Sequence, residues 1–142
     1  MYKKILITLE NSPADETIIP HIAELAGHFG SKILLLHVAD GFAARCFDQL
    51  KLAESDEIKE DRAYLERVAA QLRAGKLTVN TMLAMGNPPA EILKIAEEEK
   101  CDLIAMTSHG HRFLGDLFHG STITQVRHET NIPLLVLRAK KI

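Results

Sequence analysis

The chain has 142 residues, of which 46% are hydrophobic and 25% charged, ordinary usage for a globular protein. That length suits one domain with a sizeable core, spanning 1–142, and leaves no room for two. A formal net charge of −2 gives no basic surface for nucleic acid, and no window is long and apolar enough for a membrane span.

Cys46 and Cys101 show neither metal-ligand nor redox spacing, and two thiols of this kind suit a reducing cytosol. The start, Met1 to Glu10, has lysines followed by an apolar patch too short for a secretory signal. A cytoplasmic protein is expected.

Lys4 to Leu9 reads as a first strand, short and nearly all apolar, as a strand covered on both faces should be. Ser12-Pro13 signals a helix start. Ile18, Ile22, Leu25 and Phe29 then fall on one helical face, with Gly30 as its stop. Pro20 lies inside that helix and is expected to kink it or delay its first full turn. Lys32 to Val38 is a second buried strand. Ala39 to Ser55 follows without clear periodicity, and a connection of that length is usually a functional cover or partly mobile.

Ile58, Leu65, Val68, Ala69 and Leu72 mark a second amphipathic helix that closes at Gly75. Leu77 to Ala84 is a third strand, and Thr78 and Asn80 make it polar enough for a sheet edge. Gly86-Asn87-Pro88-Pro89 leads into a third helix, where prolines are tolerated because the first turn has no use for their missing N–H. Ile92, Ile95 and Ala96 form its buried stripe. Glu97-Glu98-Glu99-Lys100 is a solvated end. Asp102 to Met106 is the fourth strand, Thr122 to His128 a fourth helix, and Leu134 to Leu137 the last strand.

Five apolar runs alternating with four helices imply an α/β fold: an open five-stranded parallel sheet with helices on both faces. With strand three at one edge and right-handed crossovers, the order is 3-2-1-4-5. Winding then reverses between strands one and four, and ligands of open α/β sheets bind beyond the carboxyl ends of the strands at such a reversal. Those ends are Thr8-Leu9-Glu10 and Met106-Thr107. Between Thr107 and Thr122 the chain carries glycines at 110, 115 and 120, and Ser121 is expected to open the fourth helix. A glycine-bearing loop feeding a helix start presents unpaired amides to an anion. Gly120-Ser121 is equally the composition of a plain helix cap.

The last strand is apolar at each position from Leu134 to Leu137, which suits burial on both faces and an occupied edge. A homodimer joined along this strand satisfies that requirement, and the charged Arg138-Ala139-Lys140-Lys141 tail is the alternative means of blunting the edge.

These residues resemble a known family. Lys3-Lys4-Ile5-Leu6, Leu34-Leu35-Leu36-His37-Val38, Gly86-Asn87-Pro88, the run from Asp102 to Gly110, and Gly120-Ser121 together look like a universal stress protein of single-domain, Rossmann-like type, over essentially the full length. The nucleotide-binding branch carries Gly-x2-Gly-x9-Gly-Ser/Thr. Here its first position falls on Thr107, a departure, while Gly110, Gly120 and Ser121 match. The resemblance implies an ATP-binding protein, with AMP or ADP as alternative ligands, that holds adenosine between the ends of strands one, two and four. Val38 would border the adenine and Met106-Thr107 would lie beneath the nucleoside. Gly110, Gly120, Ser121 and Thr122 would supply donors to the phosphates. Glu10 stands where the family has Asp; one methylene longer, it still accepts from an adenine amine or a ribose hydroxyl. His109, His111 and Arg112 would add positive charge near the phosphates, and a divalent cation would accompany the nucleotide.

Other signatures are weaker. Gly115 to Ser121 lacks the lysine of a P-loop, no Gly-x-Gly-x-x-Gly follows strand one, and Glu10 is too isolated for a phosphoacceptor. His109, His111 and His119 have no metal-ligand spacing and read as solvent-facing loop residues, and His37 reads as a satisfied core residue. With no nucleophile–base pair in view, binding rather than catalysis is expected. The rival functions are a slow ATPase or phosphotransferase using a loop His or Glu10, and a nucleotide-free protein-interaction module.

Overall fold

In a computed structural model, the described residues are 1–39, 56–109 and 117–140, with the main chain alone at 117–121. They form β1 (Lys4–Thr8), α1 (Asp15–Phe29), β2 (Lys32–Ala39), α2 (Asp56–Ala74), β3 (Thr78–Met85), α3 (Pro88–Glu98), β4 (Leu103–Ser108), α4 (Leu117–Glu129) and β5 (Leu134–Arg138). Of the connection expected from Ala39 to Ser55, Ala39 belongs to β2 and 40–55 lie outside the described residues.

The strands pair in parallel in the order β3-β2-β1-β4-β5, as the polar third strand and the crossover rule anticipate. β1 holds the centre because its two faces are equally apolar: Ile5, Leu6 and Ile7 are fully buried, each contributing about 1.5–3 kcal/mol. Ile5, Ile7, Ile33 and Leu35 pack under Ile18 and Ile22 of α1 and Leu65, Val68 and Leu72 of α2. Leu6, Leu34, Leu36, Ile104 and Met106 pack on the opposite face with Ile92 and Ile95 of α3 and Val126 of α4.

Local chemistry sets the helix ends. Gly30 closes α1 at φ +66°, its amide returning to the Ala26 carbonyl, a backbone state that glycine enters without a Cβ penalty. Asn87 caps α3 by accepting from the Ala90 amide, and Pro88 and Pro89 occupy the first turn, where no N–H is missed.

Three expectations change. α1 starts at Asp15, after a tight turn in which Ser12 caps the Ala14 amide, and it continues through Pro20 without a break. β4 runs past Met106 to Ser108, because Thr107 and Ser108 find partners in Leu137 and Arg138 of β5. α4 opens at Leu117, not at Ser121 or Thr122; Gly120 and Ser121 therefore lie within its first turns. β5 is the sheet edge that this order implies, and Val136 on it is 41% exposed.

Candidate functional site

The reversal of winding falls between β1 and β4, so the two strand ends open a crevice bordered by the segments that follow them. Thr8, at the end of β1, is tied to β4 by its hydroxyl, which lies 3.4 Å from the Ala105 carbonyl. Leu9 continues the ladder into β2 through its amide, 2.8 Å from the Leu36 carbonyl, and its side chain is buried. Glu10 is the first residue beyond the sheet. Its carboxylate meets His109, the first residue beyond β4: Nε2 is 2.8 Å from Oε1 and 2.6 Å from Oε2. A carboxylate accepts, so the imidazole N–H donates. The side chains are only 13% and 10% exposed. His109 is thus not the solvent-facing loop residue that its surroundings in the sequence suggested. The Ser12 hydroxyl lies 3.3 Å from Glu10 Oε2.

Glu10 is held from behind by a buried polar network. Asn11 takes φ +60°, a left-handed state that asparagine tolerates better than most residues. In that turn the Glu10 and Asn11 amides both point at Asp15, donating at 3.0 and 2.9 Å. Asp15 is 1% exposed and also accepts the Tyr64 hydroxyl from α2 at 2.7 Å. Burial, then the hydrogen bond to Asp15, pushes the Tyr64 phenol well above its ordinary range. Asn11 Nδ2 donates to Asp61 at 3.0 Å, and Asp61 also meets His37 Nε2 at 3.2 Å. The other nitrogen of His37 donates to the Leu9 carbonyl at 2.8 Å, which makes it the satisfied histidine the sequence implied.

On β4, Met106 is buried in the α3–α4 layer. Thr107 is only 5% exposed, and its hydroxyl has no hydrogen-bond partner among the described residues. Val38, near the end of β2, packs half-buried against the same layer as Met106. Thr122 is buried in α4. Gly110, His111 and Arg112 lie outside the described residues. Of the expected site residues, then, Glu10 and His109 are brought together just beyond the strand ends, while Thr107 is buried within β4 and Thr8, Leu9, Val38 and Met106 lie in or next to the strands behind them. A separate open cavity of about 430 Å³ lies between α1 and α2; it shares only the 11–13 turn with this crevice.

The family model described as "Universal stress protein family" matches residues 1–138. The chain belongs to the universal stress protein family. Universal stress protein MJ0577 of Methanocaldococcus jannaschii is 29% identical over 99% of this chain and 97% of its own. A solved structure described as that of MJ0577 superposes with a TM-score of 0.83 at 29% identity, covering 100% and 99% of the two chains. A universal stress protein of Thermus aquaticus, from the region 3′ of a QAH/OAS sulfhydrylase, is 31% identical over 97% of this chain and 100% of its own. Two more distant structures hold nucleotides. One is a universal stress protein in complex with cAMP (15% identity, TM-score 0.73, covering 98% of each chain). The other is the Archaeoglobus fulgidus universal stress protein in complex with dAMP (20% identity, TM-score 0.68, covering 95% and 97%).

Within this universal stress protein, the supporting network of Asp15, Asp61 and Tyr64 escaped sequence reasoning. The signal was present for Asp61: it lies three residues after Ile58 and four before Leu65, a carboxylate on the buried stripe of α2, and a charge there needs partners. Cys101 is buried, as expected, and burial pushes its thiol up to about 11.

Proposed function

We infer that this protein binds an adenine nucleotide, ATP with AMP or ADP as alternative ligands, at the carboxyl ends of β1, β2 and β4. The observation that carries this reading is the meeting of Glu10 and His109 just beyond the strand ends at the reversal of winding. The Glu10 carboxylate is the acceptor for an adenine amine or a ribose hydroxyl, and Val38 and Met106 provide apolar surface for the base. An α-helix leaves its first four amides unpaired, which in α4 are those of 117–120. These join Gly110, with the hydroxyls of Ser121 and Thr122, as donors to the phosphates, while His111 and Arg112 supply positive charge. A divalent cation accompanies the phosphates. The nucleotide-bound neighbours with the same fold support this choice of ligand class.

The protein acts as one cytoplasmic domain, a homodimer joined along β5 from Leu134 to Leu137, and it serves as a regulatory binder for a protein partner rather than as an enzyme. One observation favours a slow ATPase as the second reading: Glu10 and His109 form a carboxylate–imidazole pair of the kind that orients a general base. Turnover by pure protein, lost in His109→Ala, would establish it.

Calorimetric titration of ATP, ADP and AMP into the wild type and Gly120→Val tests the main reading. Gly120 carries the last unpaired amide of the α4 first turn. We expect ATP to bind the wild type and to lose at least about tenfold in affinity in the variant, with the oligomer unchanged. Equal affinity in both proteins would remove the phosphate assignment, and no binding to either would leave the interaction-module reading.

A further inference from the structure

We propose that His109 is the resident occupant of the Glu10 carboxylate, and that a nucleoside binds by taking its place. This rests on the reading of the crevice as a nucleotide site and assigns what controls entry to it. The imidazole Nε2 stands nearly equidistant from the two carboxylate oxygens, at 2.8 and 2.6 Å. It fills the wedge in front of the carboxylate, where an incoming amine or hydroxyl must stand. A single N–H shared between two oxygens aligns well with neither, whereas separate donors to each oxygen make the stronger bidentate pairing. A nucleoside carrying an amine or adjacent hydroxyls can therefore displace the ring.

Three features fit a contact made to be exchanged. Both side chains are nearly buried, so the carboxylate does not readily trade the ring for bulk water, and a partner of defined shape is needed. The main chain of Glu10 is fixed independently of His109, because Asp15 accepts the amides of Glu10 and Asn11 and Asp15 is itself anchored to α2 through Tyr64. Releasing the imidazole thus leaves the position of Glu10 intact. His109 itself is the first residue after β4, outside the strand ladder, so its ring can swing away without breaking a strand hydrogen bond. The reach of glutamate matters as well, because a side chain one methylene shorter draws the carboxylate back from the imidazole.

The inference makes His109 a competitor of the nucleoside and not a partner of the phosphates. ATP and inorganic tripolyphosphate are titrated into the wild type, His109→Ala, Glu10→Asp and the double variant, with thermal unfolding of each as the check on folding. Removing the ring, or drawing the carboxylate back from it, is expected to tighten ATP about tenfold. Tripolyphosphate, which has no nucleoside, should be unaffected. The double variant should gain no more than either single change, since both remove the same contact. Glu10→Asp keeps the charge and carries the test if His109→Ala fails to fold.

Unchanged or weaker ATP binding in both single variants would overturn the competition. So would tripolyphosphate shifting in step with ATP, because His109 would then act on the phosphate chain. Full additivity in the double variant would show two independent effects and would overturn it as well. ATP bound by the wild type but unaffected by either change refutes this inference alone; no ATP bound by any of the four proteins refutes the nucleotide reading together with it.

Discussion

Replacing Asp15 with alanine tests how the turn after β1 is held. The carboxylate is 1% exposed and accepts the Glu10 amide at 3.0 Å, the Asn11 amide at 2.9 Å and the Tyr64 hydroxyl at 2.7 Å. Asp15→Ala strands all three donors in a part-buried setting where water reaches them poorly. At about 1–3 kcal/mol for each stranded donor, discounted for the partial access of water, the loss is about 3–5 kcal/mol. Tyr64→Phe removes a single donor together with its need, so it costs only about 1 kcal/mol. Asp15→Asn lies between, because its amide oxygen still accepts from the turn while its NH2 group faces the tyrosine. Urea unfolding followed by circular dichroism gives the three values. ATP titration adds the functional half: Asp15→Ala should weaken binding because Glu10 loses its anchor, whereas Leu65→Ala, a core truncation of comparable cost at about 3 kcal/mol, should not. An Asp15→Ala loss below about 1 kcal/mol, or one smaller than that of Tyr64→Phe, would refute the account of the turn.

Further outcomes follow from other parts of the molecule. Asp102 accepts the amides of Lys3 and Lys4 at 2.8 and 3.0 Å; desolvation raises its carboxyl, but these bonds outweigh it and hold the group below its ordinary value. A lowered folded value lends stability above the ordinary 3.8 that is lost as pH falls through the folded value. Asp102→Asn should therefore be less stable than wild type near neutrality, and the gap should close in acid; a gap constant with pH would contradict this. With its thiol raised to about 11 by burial, Cys101 should resist iodoacetamide at pH 8 in the folded protein and react in urea, as site-resolved mass spectrometry will report. Val136→Arg places a charge on the exposed β5 edge and should halve the mass seen by sedimentation while leaving ATP affinity in place. A wild type that already sediments as a monomer would dispose of the β5 dimer.

The architecture was legible because it follows from periodicity. Ile5 to Ile7 and Leu34 to Leu36 are apolar without alternation, and only a strand covered on both faces buries such a run; Thr78 and Asn80 marked the edge, and crossover handedness left one order. Element ends were less legible where their partners are distant in sequence. β4 extends through Thr107 and Ser108 because β5 supplies hydrogen bonds, and nothing local announces that. Ser121 has the chemistry of an N-cap, yet α4 begins a turn earlier.

The site divides in the same way. By itself, the order of apolar runs and glycines determined the sheet, the reversal of winding and the strand ends around it, since these depend on spacing along one chain. That His109 and Glu10, 99 positions apart, would meet was decided only by the tertiary structure, as was the pinning of the β1 turn by Asp15, Tyr64, Asp61 and His37. Hydrogen bonds between side chains depend on distances of a few tenths of an ångström between separate elements, and no pattern in the linear order of residues encodes such distances.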